Sequence, residues 1–160
     1  MFEEDRKLRM RVIMPAVALS LTLGIFPVSA SFAETNTEHG ATETSADVNP
    51  CTGEPGILTL TYNEIEHSSN DANEGGHFTF TQTGTFTFVP NDEGGESFSG
   101  HFTVWGGGNQ NSGGTDVGTF TLSIHGTGSE GSTLRANQVS HETSNPADVI
   151  TSQFDKMNCH

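Results

Sequence analysis

Three histidines, His77, His101 and His125, each fall on the parity opposite to the Phe and Leu side chains of their own strand-like runs. Residues of one parity share one face of a strand. The three are therefore candidates to converge on a sheet surface and ligate zinc or copper, for which neutral imidazole is a good donor. His77 begins its run, His101 sits in the middle of its own and His125 ends its own, and no His-x-His or His-Glu-x-x-His spacing occurs. Isolated surface histidines are the plainer reading.

Two acidic, glycine-rich stretches offer oxygen donors. One carries Asp71, Asn73 and Glu74; the other carries Asp92, Glu93 and Glu96. Calcium accepts such oxygens, but neither stretch has the spacing of a helix-loop-helix calcium site. Turns between strands are built from the same residues. A third stretch, Gly106-Gly107-Gly108-Asn109-Gln110-Asn111-Ser112-Gly113-Gly114, follows Trp105. As a loop beside an exposed aromatic it makes Trp105 and Asn109 candidates for contact with a sugar or a partner. It lacks the lysine and the following helix of a phosphate-binding loop. No Gly-x-Ser-x-Gly elbow is present, and the carboxylates of Glu64 and Glu66, on one strand face, have no visible opposing partner. Catalytic residues are unassigned, and no cofactor is indicated.

These residues must be positioned by strands. From Ile57 onward the pattern alternates at period two, with Thr and aromatics enriched and Gly, Asn and Asp between runs. The strongest run, residues 77–89, puts Phe78, Phe80, Phe86 and Phe88 on one face and Thr79, Thr81, Thr83, Thr85 and Thr87 on the other, with Gly84 in the Phe row. An interior glycine marks a bend or a close backbone approach. The other runs are 57–67, 98–105, 117–125, 133–141 and 149–154. No helical spacing persists beyond the N-terminal segment. The fold expected is all-β, a small antiparallel up-and-down β-barrel of about six to eight strands, with a β-sandwich as the alternative. The Phe, Leu and Ile parity is the packed interior.

The N-terminus reads as a secretory signal over residues 1–33: Arg6, Lys7, Arg9 and Arg11 precede an apolar stretch, Val12 to Phe26, that is short for a bilayer span, with small residues near Ala33. Met1 and Met10 are both candidate starts. Residues 34–48 carry few large apolar side chains and are expected as a disordered acidic, Thr-rich tail, leaving 49–160 as a single β domain. The net charge is −14, and loss of residues 1–33 leaves Arg135 and Lys156 as the only Lys or Arg side chains. Such a surface cannot neutralise phosphates, which argues against nucleic acid and anionic lipid as partners. In an oxidising compartment the only two cysteines, Cys51 and Cys159, are expected to form one disulfide. The mature form should be a secreted monomer without a membrane span.

Several short motifs carry a resemblance: Asn49-Pro50-Cys51-Thr52-Gly53-Glu54, the run from Gly76-His77-Phe78-Thr79 through Gly84-Thr85-Phe86-Thr87, Gly100-His101-Phe102-Thr103-Val104-Trp105, and His125-Gly126-Thr127-Gly128-Ser129. Over residues 49–160 the chain resembles a group of small secreted β-rich proteins, mostly actinobacterial, to which no function is assigned. The resemblance implies export and a β fold and brings no catalytic residues. Gly84-Thr85-Phe86-Thr87 alone is similar to the barrels of allene oxide cyclase and dirigent proteins, but the Tyr, Gly, Ala and Thr motif that accompanies it there is missing. The function expected is a non-enzymatic extracellular binding or structural module for a small ligand, a surface component or a protein. A calcium or zinc/copper protein and an enzyme with a barrel-mouth site are the alternatives.

Overall fold

The computed structural model describes residues 32–70, 75–147 and 149–160. Seven strands follow one another: β1 (Phe32–Val48), β2 (Pro55–Asn70), β3 (Gly76–Pro90), β4 (Phe98–Gln110), β5 (Asp116–Gly128), β6 (Thr133–Ser144) and β7 (Ile150–Cys159). They form one antiparallel sheet in sequence order, each strand paired with the next. All six expected runs are strands, and no helix occurs among the described residues.

The alternation of the sequence becomes two faces of this sheet. One face gathers Tyr62, Phe86, Phe88, Phe98, Phe102, Val104 and Leu134 into a buried cluster, with Leu58, Leu60, Phe80, Phe120, Leu122 and Ile124 packed against it. Burying aromatic and aliphatic side chains is the main term favouring the fold. The outer face is largely threonine; Thr44 pairs with Thr59 and Thr42 with Thr61 through their hydroxyls. Gly84 lies opposite Tyr62 on β2 and Phe102 on β4. A Cβ there would come within 2.1 Å of the Thr61 carbonyl, so glycine marks a close approach of the β2 backbone. The Tyr62 and Phe102 rings meet edge to face, 6.4 Å between centroids, across this gap.

Two expectations are corrected. Residues 34–48 are not a disordered tail but lie in β1, paired with β2 from Phe32↔Asn70 to Val48↔Pro55 with one irregularity between Glu38 and Ala41. The strand is polar on both faces and nearly all exposed; backbone hydrogen bonds to an existing edge hold it, together with the Thr hydroxyl pairs above. The β domain therefore starts well before residue 49. Second, no pairing joins β1 to β7 among the described residues, so the sheet is not closed into the expected barrel. β1 carries Glu34, Glu38 and Glu43 and β7 carries Asp155, and neither edge offers the other a row of apolar side chains.

The open side is bridged covalently instead. Cys51, in the β1–β2 turn, is disulfide-bonded to Cys159 at the end of β7, with Cα atoms 5.7 Å apart. The turn itself is built by Asn49, 1% exposed. Its side-chain Oδ1 accepts from the backbone N–H groups of Cys51 and Thr52, while its backbone bonds to Gly53 and Glu54. Gly53 takes a φ of 75°, a conformation that glycine adopts without steric penalty. The Asn-Pro-Cys-Thr-Gly-Glu motif is thus a turn that presents Cys51. Of the expected signal segment, only Phe32 and Ala33 lie within the described residues, at the start of β1. No helix among those residues is long and apolar enough to cross a membrane.

Candidate functional site

The core side chains fill only one end of the inner face. The filled end lies beside the disulfide, where Leu58, Phe88 and Phe98 stand in one cross-strand row. Three same-face rows further along, Glu64 and Gln82 are hydrogen-bonded to one another, and Gln138 Nε2 donates to Asp155 Oδ1 at 3.0 Å. These pairs flank Val104 and Leu122 and form a polar step across the sheet.

Beyond that step the inner face opens into a trough of about 580 Å³. Its position follows from register. Phe80, Gly106, Phe120 and Ser140 form one cross-strand row; Phe78, Gly108, Gly118 and Glu142 form the next; Gly76, Gln110, Asp116 and Ser144 form the last. Aromatic rings thus alternate with glycine. A Cβ on Gly106 would lie 2.2 Å from the Phe80 ring, and one on Gly108 would lie 2.7 Å from the Phe78 ring. Both rings therefore lean over bare backbone. Gly118 differs, because nothing comes within 4 Å of where its Cβ would be. The space over Gly118, between Phe78, Phe120 and Glu142, is the trough. Asp116 and Glu142 place carboxylates at its rim, with Ser68, Ser140 and Ser144 nearby.

Such a surface suits a small amphipathic molecule. Three phenyl rings and glycine backbone offer a flat apolar bed, while carboxylates and hydroxyls at one side accept hydrogen bonds or face a positive charge. Sequence reasoning placed the Phe row in the core and did not find the trough. The missing signal is non-local: the glycine run after Trp105 predicts a loop, but Gly106 and Gly108 lie inside β4 and are buried because β3 lays its rings over them.

The residues singled out from the sequence are dispersed. His101 and His125 face one another across β4 and β5. His77 does not join them: its Nδ1 is 2.8 Å from Asn109 Oδ1, and it lies eight residues along β3 from Thr85, the partner of His101. That spacing is about 27 Å in a strand, so the histidines do not converge as a trio. Asn109 and His77 are register partners at the strand ends beside the trough, on the same parity of their strands as Trp105, which lies four residues along β4 from Asn109 and is 41% exposed.

Asp92 and Glu93 are exposed in the β3–β4 turn. Glu96 is engaged elsewhere, accepting from Ser132 Oγ at 2.6 Å and from the backbone N–H groups of Glu130 and Ser132. The Ser132 hydroxyl, foremost, and those backbone donors hold its carboxyl below the ordinary glutamate range against partial desolvation. It fastens the β5–β6 turn to the β3–β4 connection. Asp71, Asn73 and Glu74 lie outside the described residues. The strand ends beside them, Asn70 and Gly76, are at the opposite end of the sheet from Asp92. No group of three or more His, Cys, Asp or Glu side chains placed to hold a metal occurs among the described residues. Comparison of the chain with family models, curated proteins and solved structures found no match.

Proposed function

We propose that this chain is an exported, non-enzymatic extracellular binding module that takes a small amphipathic ligand into the trough over Gly118. The observation that carries the reading is the contrast between the two ends of the inner face. One end is packed by Tyr62, Phe86, Phe88 and Phe102, while the other, equally aromatic, leaves open space over Gly118. A sheet that needed only a core would fill that row. The architecture proposed is an up-and-down barrel left open along one seam and fastened by Cys51–Cys159, and the sequential order of the strands supports it over a sandwich. The disulfide also supports an oxidising compartment and hence export. With a net charge of −14 and Asp116 and Glu142 at the rim, the ligand is neutral or cationic at its polar end.

The test compares two fluorescent probes that share an aromatic body, neutral N-phenyl-naphthylamine and anionic anilinonaphthalene sulfonate. The neutral dye should bind saturably, one per chain, with an emission increase. The sulfonate should bind more weakly, and its deficit should shrink with added salt, which screens the rim carboxylates. Absence of neutral-dye binding, or equal binding of both dyes at low salt, would overturn the reading.

A further inference from the structure

The seven histidines of the chain differ in what their side chains engage. Four make side-chain contacts with a residue on the neighbouring strand: His39 with Asn63, His67 with Thr35, His77 with Asn109 and His141 with Thr119. His160 is bonded through its backbone N–H to the Arg135 carbonyl and is not a register partner of another histidine. The remaining two, His101 and His125, form no side-chain hydrogen bond with the described residues, both are exposed, and they are direct register partners across β4 and β5.

We propose that His101 and His125 form a two-imidazole chelating site for a divalent transition metal ion, Cu²⁺ foremost, on the outer face of the sheet. Side chains directly opposite one another on one face of an antiparallel pair have Cβ atoms about 4.5 to 5.5 Å apart. Two imidazoles at that separation can both turn toward one ion at a metal–nitrogen distance of about 2 Å. With no cross-strand partner of their own, neither ring gives up a hydrogen bond to do so. In the other four histidines a ring nitrogen is already engaged.

The surroundings set which ion is held and how tightly. The same cross-strand row continues to Thr85 on β3 and Arg135 on β6, and Thr103, Ser123, Ser99 and Thr127 flank the pair along β4 and β5. No carboxylate stands in register with either histidine, so water or hydroxyl groups complete the coordination shell. Hard oxygen-seeking ions are therefore disfavoured. Arg135 opposes any cation near His125, which favours the metal with the strongest imidazole bond, and copper stands highest in the order of first-row divalent ions. A site with two protein ligands on an exposed sheet holds its metal exchangeably and leaves positions open to a further ligand. It is distinct from the trough, which lies at the far end of the inner face.

Equilibrium dialysis of the full chain against Cu²⁺, with electron paramagnetic resonance of the loaded protein, tests this. One equivalent of Cu²⁺ should bind with a nitrogen hyperfine pattern. His101→Ala and His125→Ala should each weaken binding by more than about tenfold, while His77→Ala leaves it unchanged. Both substitutions are at exposed positions, and unchanged circular dichroism will show that the fold is retained. Binding that survives His101→Ala, or that falls equally with His77→Ala, would overturn the proposal. That result would leave the trough untouched, because dye binding reads a different face.

Discussion

The Phe80 ring lies over Gly106 so closely that a Cβ on Gly106 would be 2.2 Å from its Cε1 atom. The two residues are register partners on β3 and β4, and the ring occupies the volume a side chain on β4 would take. Gly106→Val must push the ring aside or bend the strand. Overpacking of this kind costs about 1 to 3 kcal/mol. Urea unfolding of Gly106→Val should show a lowered midpoint with the slope preserved. An unchanged midpoint would mean that the ring moves freely.

Cys51→Ser with Cys159→Ser removes the bridge over the open side of the sheet. The bond spans 108 residues of sequence, and a loop of that size restricts the unfolded chain by about 4 to 5 kcal/mol in the loop-entropy treatment. The double variant should lose stability of that order in denaturant. β1 should be affected least, since it precedes the cross-link and depends on pairing with β2 alone. Amide exchange resolved by residue would show whether β6 and β7 open first.

Tyr62 is the single tyrosine, so its ionisation is read directly in the ultraviolet. Burial in the core pushes its phenol above the ordinary value of 10.0, and the carboxylates of Glu43, Glu38 and Glu64 add to the shift. A raised folded-state value stabilises the fold below the unfolded value, and that contribution is lost as pH rises through the folded value. Alkaline titration should give a phenolate midpoint above 10.0 that returns to the ordinary value in denaturant. Glu43→Gln should lower the native midpoint, though not to the ordinary value, because burial is the larger cause. A native midpoint at the ordinary value would contradict the packing of Tyr62 against Phe102.

The strands from Ile57 to Phe154 were legible in the sequence because alternation is a local signal with one face buried. β1 was not, since Thr, Glu and Asn occupy both of its faces and its cohesion comes from backbone pairing that composition does not encode. The glycine run after Trp105 predicts a loop for a similar reason: the partners of Gly106 and Gly108 are the rings of Phe80 and Phe78, some thirty residues away. Parity placed His77, His101 and His125 on one face, as the structure has them. Their spacing along the strands was beyond reach, because it depends on register, which pairs His101 with His125 and His77 with Asn109. The trough is also a product of register, arising where Phe80, Gly106 and Phe120 align.

A ligand in the space over Gly118 should be excluded by Gly118→Phe. A Cβ added there meets nothing within 4 Å and the backbone is strand, so the new side chain starts into the open space of the trough. The variant should show unchanged circular dichroism, a melting temperature equal to or above that of the parent, and loss of saturable N-phenyl-naphthylamine binding. A folded Gly118→Phe protein that binds the neutral dye as the parent does would contradict binding in the trough.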